Sequence, residues 1–570
     1  MESAMSNSTQ SYIWEKSYPD DIDWHAPLTP RPMTALMEDA AQKYGARPAI
    51  DFLGRIFNFA DVADLVDRAA KGLQQQGVGK GDRVGLMLPN CPAMVISYYA
   101  VLRAGGTVVN FNPLYAEEEI RAQIKDAACD ILITLDMTAI HGKAVKMLGT
   151  TQLKKIVLVS FAEQLPFPKS LLYRLLRKKD ISPMPSDGRH LSFTELCAND
   201  GKPEAVDIDP EADIAVLQYT GGTTGLPKGA MLTHANLTTN VQQATYLFPE
   251  TKFGEEVIMG VLPIFHVFAM TVVMNFSVHA GAKMILLPRF ELKQALKTTH
   301  KKRPTFFPAV PTIYIAINNH PGVKAGKFDL TSMKYCLSGG DTLPRDVQET
   351  FQSLTGCRLL EGYGLSETSP VALCNPSTGE SREGSLGLPA PATIVEITDI
   401  DSPDKILPQG EIGEICLTGP QIMKGYWNRE EETEKALQGG RFHTGDVGYI
   451  DADGYTFLID RLKEIIIAGG YNIYPRHVEE AIYRHPAVEE VTVVGVEDAY
   501  RQESVKAFVK LRAGQSLDEA GLAQFLKDKL SPIEMPKQIE FRDELPKTLI
   551  GKLSKKELIA EEAAKRGAAS

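Results

Sequence analysis

The sequence predicts an α/β protein in two parts, a large multi-layer N-terminal domain over residues 1–460 and a small α+β domain over 461–570. Three observations predict it. At 570 residues the chain is longer than one core usually spans. Over its first half, helical and extended patterns alternate, as they do where helices cross between parallel strands. After Asp460 that rhythm gives way to a compact run of helix, two strands, helix and strand.

Val62, Leu65, Val66, Ala69 and Leu73 recur at helical spacing and stop at Gly77, after which RVGLML (83–88) reads as a strand. MVISYYAVLRAGG (94–106) is a second apolar helix leading into TVVNFN, and DILITL (130–135) and KIVLVS (155–160) continue the series. Residues 161–200 break it: FPKSLLYRLLRKK is short, amphipathic and basic, ISPMPSDGRH is turn-rich, and the stretch reads as a surface insertion. Val257 to Ala282 carries no formal charge over a length that could cross a bilayer. Pro263, His266, Asn275, Ser277 and His279 interrupt it, and a buried strand followed by a core helix accounts for the same residues. Beyond 460 the spacing predicts a helix from Pro475 to His485, strands VEEVTVVGV and SVKAFVKL, a helix around 517–530 and a strand in KQIEFRDEL.

With 72 acidic against 61 basic side chains the net charge is −11, which gives no global attraction to nucleic acid or to an anionic membrane. Nucleic acid is excluded as a partner on that ground, and any membrane contact must be local. The seven cysteines form no CxxC pair and are odd in number, so neither a disulfide framework nor a zinc site is indicated and a reducing compartment fits. The polar, acidic start lacks the basic-then-apolar order of a secretory signal, and the expectation is a cytoplasmic protein beginning near Met1. The local exception is 169–179. Leu171, Leu172, Leu175 and Leu176 share one helical face, and Lys169, Arg174, Arg177, Lys178 and Lys179 lie mainly around its edge. Two readings stand: a helix packed on its own domain with a solvated rim, or one that docks reversibly on an anionic membrane.

YTGGTTGLPKGAMLTH (219–234) looks made to hold phosphate. It is not a Walker A loop, because Lys228 follows proline and precedes glycine. Gly221, Gly222 and Gly225 still allow backbone N–H groups to approach an anion, and Thr220, Thr223 and Thr224 add hydroxyl donors. Taken alone, a surface turn of small residues remains open. Six further motifs follow in order: LPIFHVFA with His266, LSGGDTLP with Gly339 and Gly340, EGYGLSET (361–368), HTGDVGYID with Asp446, IDRLKEIIIAGGYNIYP (459–475), and LPKTLIGK ending at Lys552.

Together these motifs resemble those of the acyl-adenylate-forming enzymes, the family of acyl-CoA synthetases, firefly luciferase and the adenylation domains of peptide synthetases. Within it the chain is similar to bacterial long-chain fatty acid–CoA ligases. GGRFHTGDVGYIDADGYTFLIDRLK (439–463) resembles the fatty acyl-CoA synthetase signature, departing at Arg441-Phe442, where Trp-Leu is usual, and at Leu462, where a basic residue is common.

The resemblance implies two half-reactions. A carboxylate attacks the α-phosphorus of ATP, expels pyrophosphate and becomes acyl-AMP; the thiol of CoA then displaces AMP. It implies ATP and Mg²⁺ as cofactors and CoA as co-substrate. It assigns phosphate contacts to Thr220, Thr223, Thr224, Lys228 and the loop glycines, transition-state charge to Lys552, and Mg²⁺ to Glu367 and Thr224. Tyr363 becomes a wall of the adenine slot, with Gly339, Gly340 and Gly364 allowing close approach and Ser366 reaching the AMP phosphate. Asp446 accepts from the ribose hydroxyls beside Arg461. His266 is either a wall between acyl and nucleotide pockets or a catalytic group. Lys463 becomes the hinge on which a mobile C-terminal domain turns, and Gly469 and Gly470 border a pantetheine tunnel. The apolar runs 257–282 and 306–317 become walls for the acyl chain. An aryl- or medium-chain ligase, a ligase loading a carrier protein and a membrane transporter remain as alternatives, and a homodimer is left open.

Overall fold

The computed structural model describes residues 11–220, 227–468, 471–498, 501–547 and 553–567. The chain divides into two compact units. The first comprises Met1–Ile394, Leu417–Phe442 and Asp453–Tyr455; the second comprises Val395–Cys416, His443–Ala452 and Thr456–Ser570.

The first unit holds two sheets. One has seven strands in the order His190–Ser192, Lys155–Val159, Ile131–Leu135, Arg83–Met87, Thr107–Asn110, Ile214–Thr220 and Lys228–Thr233. The first six run parallel and the last closes an antiparallel hairpin. Ile131–Leu135 and Thr107–Asn110 are buried at every position, as apolar runs covered on both faces must be. The other sheet has nine strands, of which six are parallel, from Arg358–Gly364 through Tyr335–Gly339, Phe306–Ala309, Val257–Gly260 and Lys283–Leu286 to Pro48–Phe52.

Helix Pro92–Arg103 starts with proline, whose fixed φ suits a first turn, and buries every residue before Arg103. Its Tyr99 hydroxyl donates to Asn275 Oδ1 at 2.9 Å, and Asn90 just before it donates to the Leu262 carbonyl at 2.7 Å. The helix that leaves one sheet is thereby bonded to the chain that leaves the other. The uncharged stretch from Val257 is a strand followed by short helical pieces, Val267–Ala269, the π-helical Met270–Asn275 and Phe276–Ala280. No helix among the described residues is long and apolar enough to cross a membrane.

The stretch 161–200 has two characters. Helix Lys169–Leu176 buries none of its residues. Further on, His190–Ser192 pairs parallel with Lys155–Val159 at the sheet edge, and Leu196 packs so tightly that a Cβ on Gly72 would stand 2.0 Å from its carbonyl oxygen.

The second unit carries most of a four-stranded sheet, Ile394–Thr398, Gly413–Thr418, Phe442–Ile450 and Thr456–Arg461. A five-stranded sheet joins Tyr471–Ile473, Ile466–Ala468, Gln502–Leu511, Val488–Asp498 and Gln538–Phe541. Helices Pro475–Tyr483 and Glu519–Leu526 set Val478, Ile482, Leu522 and Leu526 against Val491, Val493 and Val505. This is the helix, strand and strand order that the periodicity predicts.

Candidate active site

In the first unit, strands Ile214–Thr220 and Lys228–Thr233 pair antiparallel, with Thr220 opposite Lys228 and the Thr220 hydroxyl 3.4 Å from the Lys228 carbonyl. The two strand ends stand face to face on either side of 221–226. The predicted loop residues Gly221, Gly222, Thr223, Thr224 and Gly225 lie outside the described residues.

A second segment runs alongside the hairpin. Trp427 N–H donates to the Gly229 carbonyl and Met231 N–H to the Gly425 carbonyl, each at 2.8 Å. This carries Tyr426 beneath Lys228, whose ammonium sits 5.1 Å from the ring centroid, a cation–π distance. The Tyr426 hydroxyl donates to Glu367 Oε1 at 2.7 Å, and Met423 N–H reaches the Glu367 carbonyl at 2.8 Å. Burial first, and the Glu367 charge second, raise the phenol well above its ordinary pKa, so it stays a donor. Asp126 anchors the segment from behind, accepting from Tyr219 at 2.7 Å and from Arg429 at 2.9 Å. Tyr426 and Asp126 escaped the sequence reading. The signal for Tyr426 was available in KGYW (424–427), an aromatic pair after glycine in a polar stretch.

Glu367 lies in the single turn Ser366–Thr368 that follows strand Arg358–Gly364. Gly364 must be glycine: a Cβ there would fall 1.6 Å from the Pro370 carbonyl oxygen. Gly339 pairs in register with Gly362, and a Cβ on it would stand 3.1 Å from the Phe268 ring; Gly340 has φ +81°. Tyr363 and Ser366 are half-buried between these features. His266 caps the short helix Val267–Ala269, its Nδ1 accepting from Phe268 N–H at 3.3 Å. Two bonds gather these elements: Gln218 to the Phe265 carbonyl at 3.1 Å, and Thr271 to the Ser369 carbonyl at 2.6 Å. Thr220, Lys228, His266, Gly339, Gly340, Tyr363, Gly364, Ser366 and Glu367 thus belong to connected strand ends and turns of one unit.

The second unit holds the remaining described candidates. Asp446 is 2 % exposed, opposite Arg461 in register, with Arg461 Nε 3.1 Å from its Oδ1. Lys463 is exposed in the turn Leu462–Glu464. Beside it lies a charge cluster that sequence reasoning missed: Lys555 Nζ is 2.9 Å from Glu464 and 3.2 Å from Glu479. Burial would lower the Lys555 pKa, but Glu479, Glu464 and Asp460 outweigh it and raise it. Gly469, Gly470 and Lys552 lie outside the described residues; their neighbours Ala468 and Tyr471 pair, as do Lys547 and Leu553.

A hairpin closing on a glycine-rich stretch, with a cation above an aromatic ring and a carboxylate below it, is suited to an anion accompanied by a metal. Comparisons with known proteins give the family. Residues 37–427 match the AMP-binding enzyme family and 477–552 match the AMP-binding enzyme C-terminal domain. A long-chain-fatty-acid–CoA ligase of Bacillus subtilis is 45% identical over 552 residues, 96% of this chain and 98% of that one. Among solved structures, ATP-bound MatB from Rhodopseudomonas palustris is 28% identical with a TM-score of 0.82, covering 93% of this chain and 98% of its own. The anthranilate CoA ligase AuaEII in complex with anthranoyl-AMP is 26% identical with a TM-score of 0.83, covering 95% and 99%.

Proposed function

The chain belongs to the AMP-binding enzyme family, and on that premise we propose that it is a long-chain fatty acid–CoA ligase. It activates a fatty acid with ATP to acyl-AMP and pyrophosphate, then passes the acyl group to CoA with release of AMP. The observation that carries this reading is the 45% identity, almost end to end, to a ligase of that name.

A carboxylate is a poor electrophile, since its charge repels a nucleophile and its oxygen is a poor leaving group. Adenylation removes the charge and supplies a good leaving group. The first step brings an anion to a polyanion, so preorganised positive charge and donors are what the protein must contribute. In this reading Lys552 meets the charge at the α-phosphate, and Thr220, Gly221, Gly222, Thr223, Thr224, Gly225 and Lys228 hold the phosphates. Tyr363, Gly339, Gly340, Gly364 and Ser366 receive adenine and the AMP phosphate. Asp446 and Arg461 take the ribose, Lys463 is the hinge at the head of residues 461–570, and Gly469 and Gly470 border the path of CoA. His266 stands between acyl and nucleotide pockets.

Magnesium fits Glu367. Its Oε1 is taken by the Tyr426 hydroxyl, which orients the carboxylate and leaves Oε2, with no protein donor among the described residues, as a hard oxygen ligand; Thr224 would be the second. Bound there, Mg²⁺ would neutralise phosphate charge.

Peripheral attachment to the cytoplasmic membrane face is part of the same reading. The support is the helix Lys169–Leu176: Leu171, Leu172, Leu175 and Leu176 are 51%, 49%, 68% and 79% exposed, and Phe167 just before them is 82% exposed. Lys178 and Lys179 beside them make no ion pair among the described residues. A poorly soluble substrate gives such a surface a use. Co-sedimentation with anionic liposomes at low salt should fall when Arg174, Arg177, Lys178 and Lys179 are changed to glutamate, since each cation near the surface contributes roughly 1 kcal/mol. Equal binding by the two proteins removes this part of the proposal.

The ligase reading is tested by pyrophosphate release across a panel of carboxylic acids, with and without CoA. Long-chain fatty acids should be the best substrates and the product a CoA thioester. A preference for aryl or medium-chain acids, or activity indifferent to CoA, would replace it with the corresponding alternative.

A further inference from the structure

Beneath Asp446, strand Gly413–Thr418 presents three consecutive residues to His443–Asp446 at the start of the neighbouring strand Phe442–Ile450. Glu414 Oε1 accepts from Gly445 N–H at 2.9 Å, and Glu414 Oε2 lies 2.8 Å from His443 Nδ1. The Ile415 carbonyl accepts from the Thr444 hydroxyl at 2.7 Å, and that hydroxyl oxygen accepts from Asp446 N–H at 3.0 Å. Cys416 Sγ stands 3.3 Å from His443 Nδ1. Gly445 has φ +72°, so the strand is bent there where only glycine is at ease.

The Glu414 and His443 side chains are 10% and 9% exposed. His443 Nε2 is buried without a partner among the described residues, so a proton there would be unsatisfied, and the ring N–H that finds an acceptor is Nδ1–H, facing Glu414. The carboxylate, thiol and imidazole atoms fall within 4.8 Å of one another. Yet the Glu414 oxygen and His443 nitrogen, at 2.8 Å, are closer than the roughly 3.3 Å that tetrahedral geometry sets between ligands about 2.0 Å from zinc. What they share is a proton.

A buried carboxylate that spends both oxygens on one short strand segment fixes the direction of what that segment carries. We propose that Glu414 is a positioning residue for nucleotide recognition: by holding His443 and Gly445 it aims the Asp446 carboxylate at the ribose hydroxyls and sets the preference for ATP over its deoxy analogues. This rests on the reading of Asp446 as the ribose acceptor.

The test measures pyrophosphate release with ATP, 2′-deoxy-ATP and 3′-deoxy-ATP for wild type, Asp446→Asn, Glu414→Gln and Glu414→Ala. Wild type should prefer ATP by about 10- to 100-fold, as for loss of a hydrogen bond to a charged acceptor. Asp446→Asn should bring that preference close to one. Glu414→Ala should cut it about fivefold or more through a rise in KM for ATP, with KM for fatty acid and CoA unmoved. Glu414→Gln, which can serve Gly445 or His443 but not both, should cut it about twofold or more and carries the test if the alanine variant does not fold. Equal losses with all three nucleotides would mean a structural role only and overturn the proposal. So would an intact preference in the Glu414 variants beside a lost one in Asp446→Asn, which leaves Asp446 standing. An intact preference in Asp446→Asn overturns the ribose reading and this inference with it.

Discussion

The two units bury basic side chains in opposite ways. In the first, His234 is almost fully buried and its Nδ1 accepts from Met33 N–H at 3.0 Å; burial pushes its pKa down to about 4, so it is neutral. His279, in the same unit, is also pushed down to about 4 by burial. In the second, Lys555 keeps its proton because carboxylates surround it. Desolvation acts on both units alike, and what differs is the counter-charge. The first unit leaves these buried imidazoles neutral and keeps cations such as Lys228 at the mouth of the hairpin. The second builds charge into its interior, next to the Lys463 turn and three residues from Lys552.

The sharpest way to break this contrast is Lys555→Met. Removing one partner of a buried pair leaves Glu464 and Glu479 uncompensated and should cost about 3–5 kcal/mol. All three tryptophans, Trp14, Trp24 and Trp427, belong to the first unit, so their fluorescence reports on that unit in urea unfolding while far-UV circular dichroism reports on both. The variant should shift the dichroism transition and leave the tryptophan transition in place. Restoring balance with Lys555→Met/Glu464→Gln should recover part of the loss. A single coincident shift in both signals would mean that the network is not confined to the second unit.

Next in size is Lys552→Ala. Loss of one preorganised charge at the transition state should lower acyl-AMP formation by about 10²–10³. Thioester formation from supplied acyl-AMP should survive if, as proposed, the charge serves the first half-reaction. Equal loss in both steps by a folded variant would take the lysine out of that role.

How far the sequence carried can be judged from the same residues. Strands Arg83–Met87, Ile131–Leu135 and Lys155–Val159 were legible because long apolar runs between turn residues have one stable use in an α/β layer. His190–Ser192 was not, since three residues in a turn-rich stretch become a strand only where an edge is waiting. Tyr363, Glu367 and Asp446 were proposed from the order of their motifs, and their chemistry alone would not have marked them. Lys555 could not be found at all: KLSKKEL reads as solvated lysines, and its burial depends on Glu464 and Glu479, far away in sequence. Glu414 was hidden for the same reason, in an ordinary strand whose partner strand lies about thirty residues on.

Acid sharpens the comparison from the other side. Because His234 titrates near 4 when folded and near 6.5 when free, the unfolded chain takes up a proton between those values that the folded one refuses. The stability of the first unit should therefore be full above pH 6.5 and fall as pH drops towards 4, by on the order of 3 kcal/mol from this group. The physical cause is burial, and a proton on Nδ1 would in addition meet the Met33 N–H, donor against donor. Asparagine can accept that N–H without titrating, so His234→Asn should flatten the decline in tryptophan-monitored stability between pH 6.5 and 4. An unchanged slope would assign the acid sensitivity to other groups.

The smallest expected effect probes the mouth of the hairpin. Tyr426→Phe keeps the ring under Lys228 and removes only the hydroxyl that donates to Glu367. One hydrogen bond to a charged group is worth about 1.5 kcal/mol or somewhat more, so adenylation should slow roughly tenfold. If Glu367 is the magnesium ligand, the loss should appear mainly as a higher magnesium requirement, because an unanchored carboxylate must be ordered when the ion binds. Saturating Mg²⁺ should then restore most of the rate, whereas Glu367→Gln, which weakens the ligand itself, should not be rescued. A Tyr426→Phe defect indifferent to Mg²⁺ would separate the hydroxyl from the metal and leave the tyrosine as a support for Lys228 alone. In either case the second unit should keep its unfolding transition, and the contrast between basic groups buried neutral and a lysine buried charged would stand on function as well as on stability.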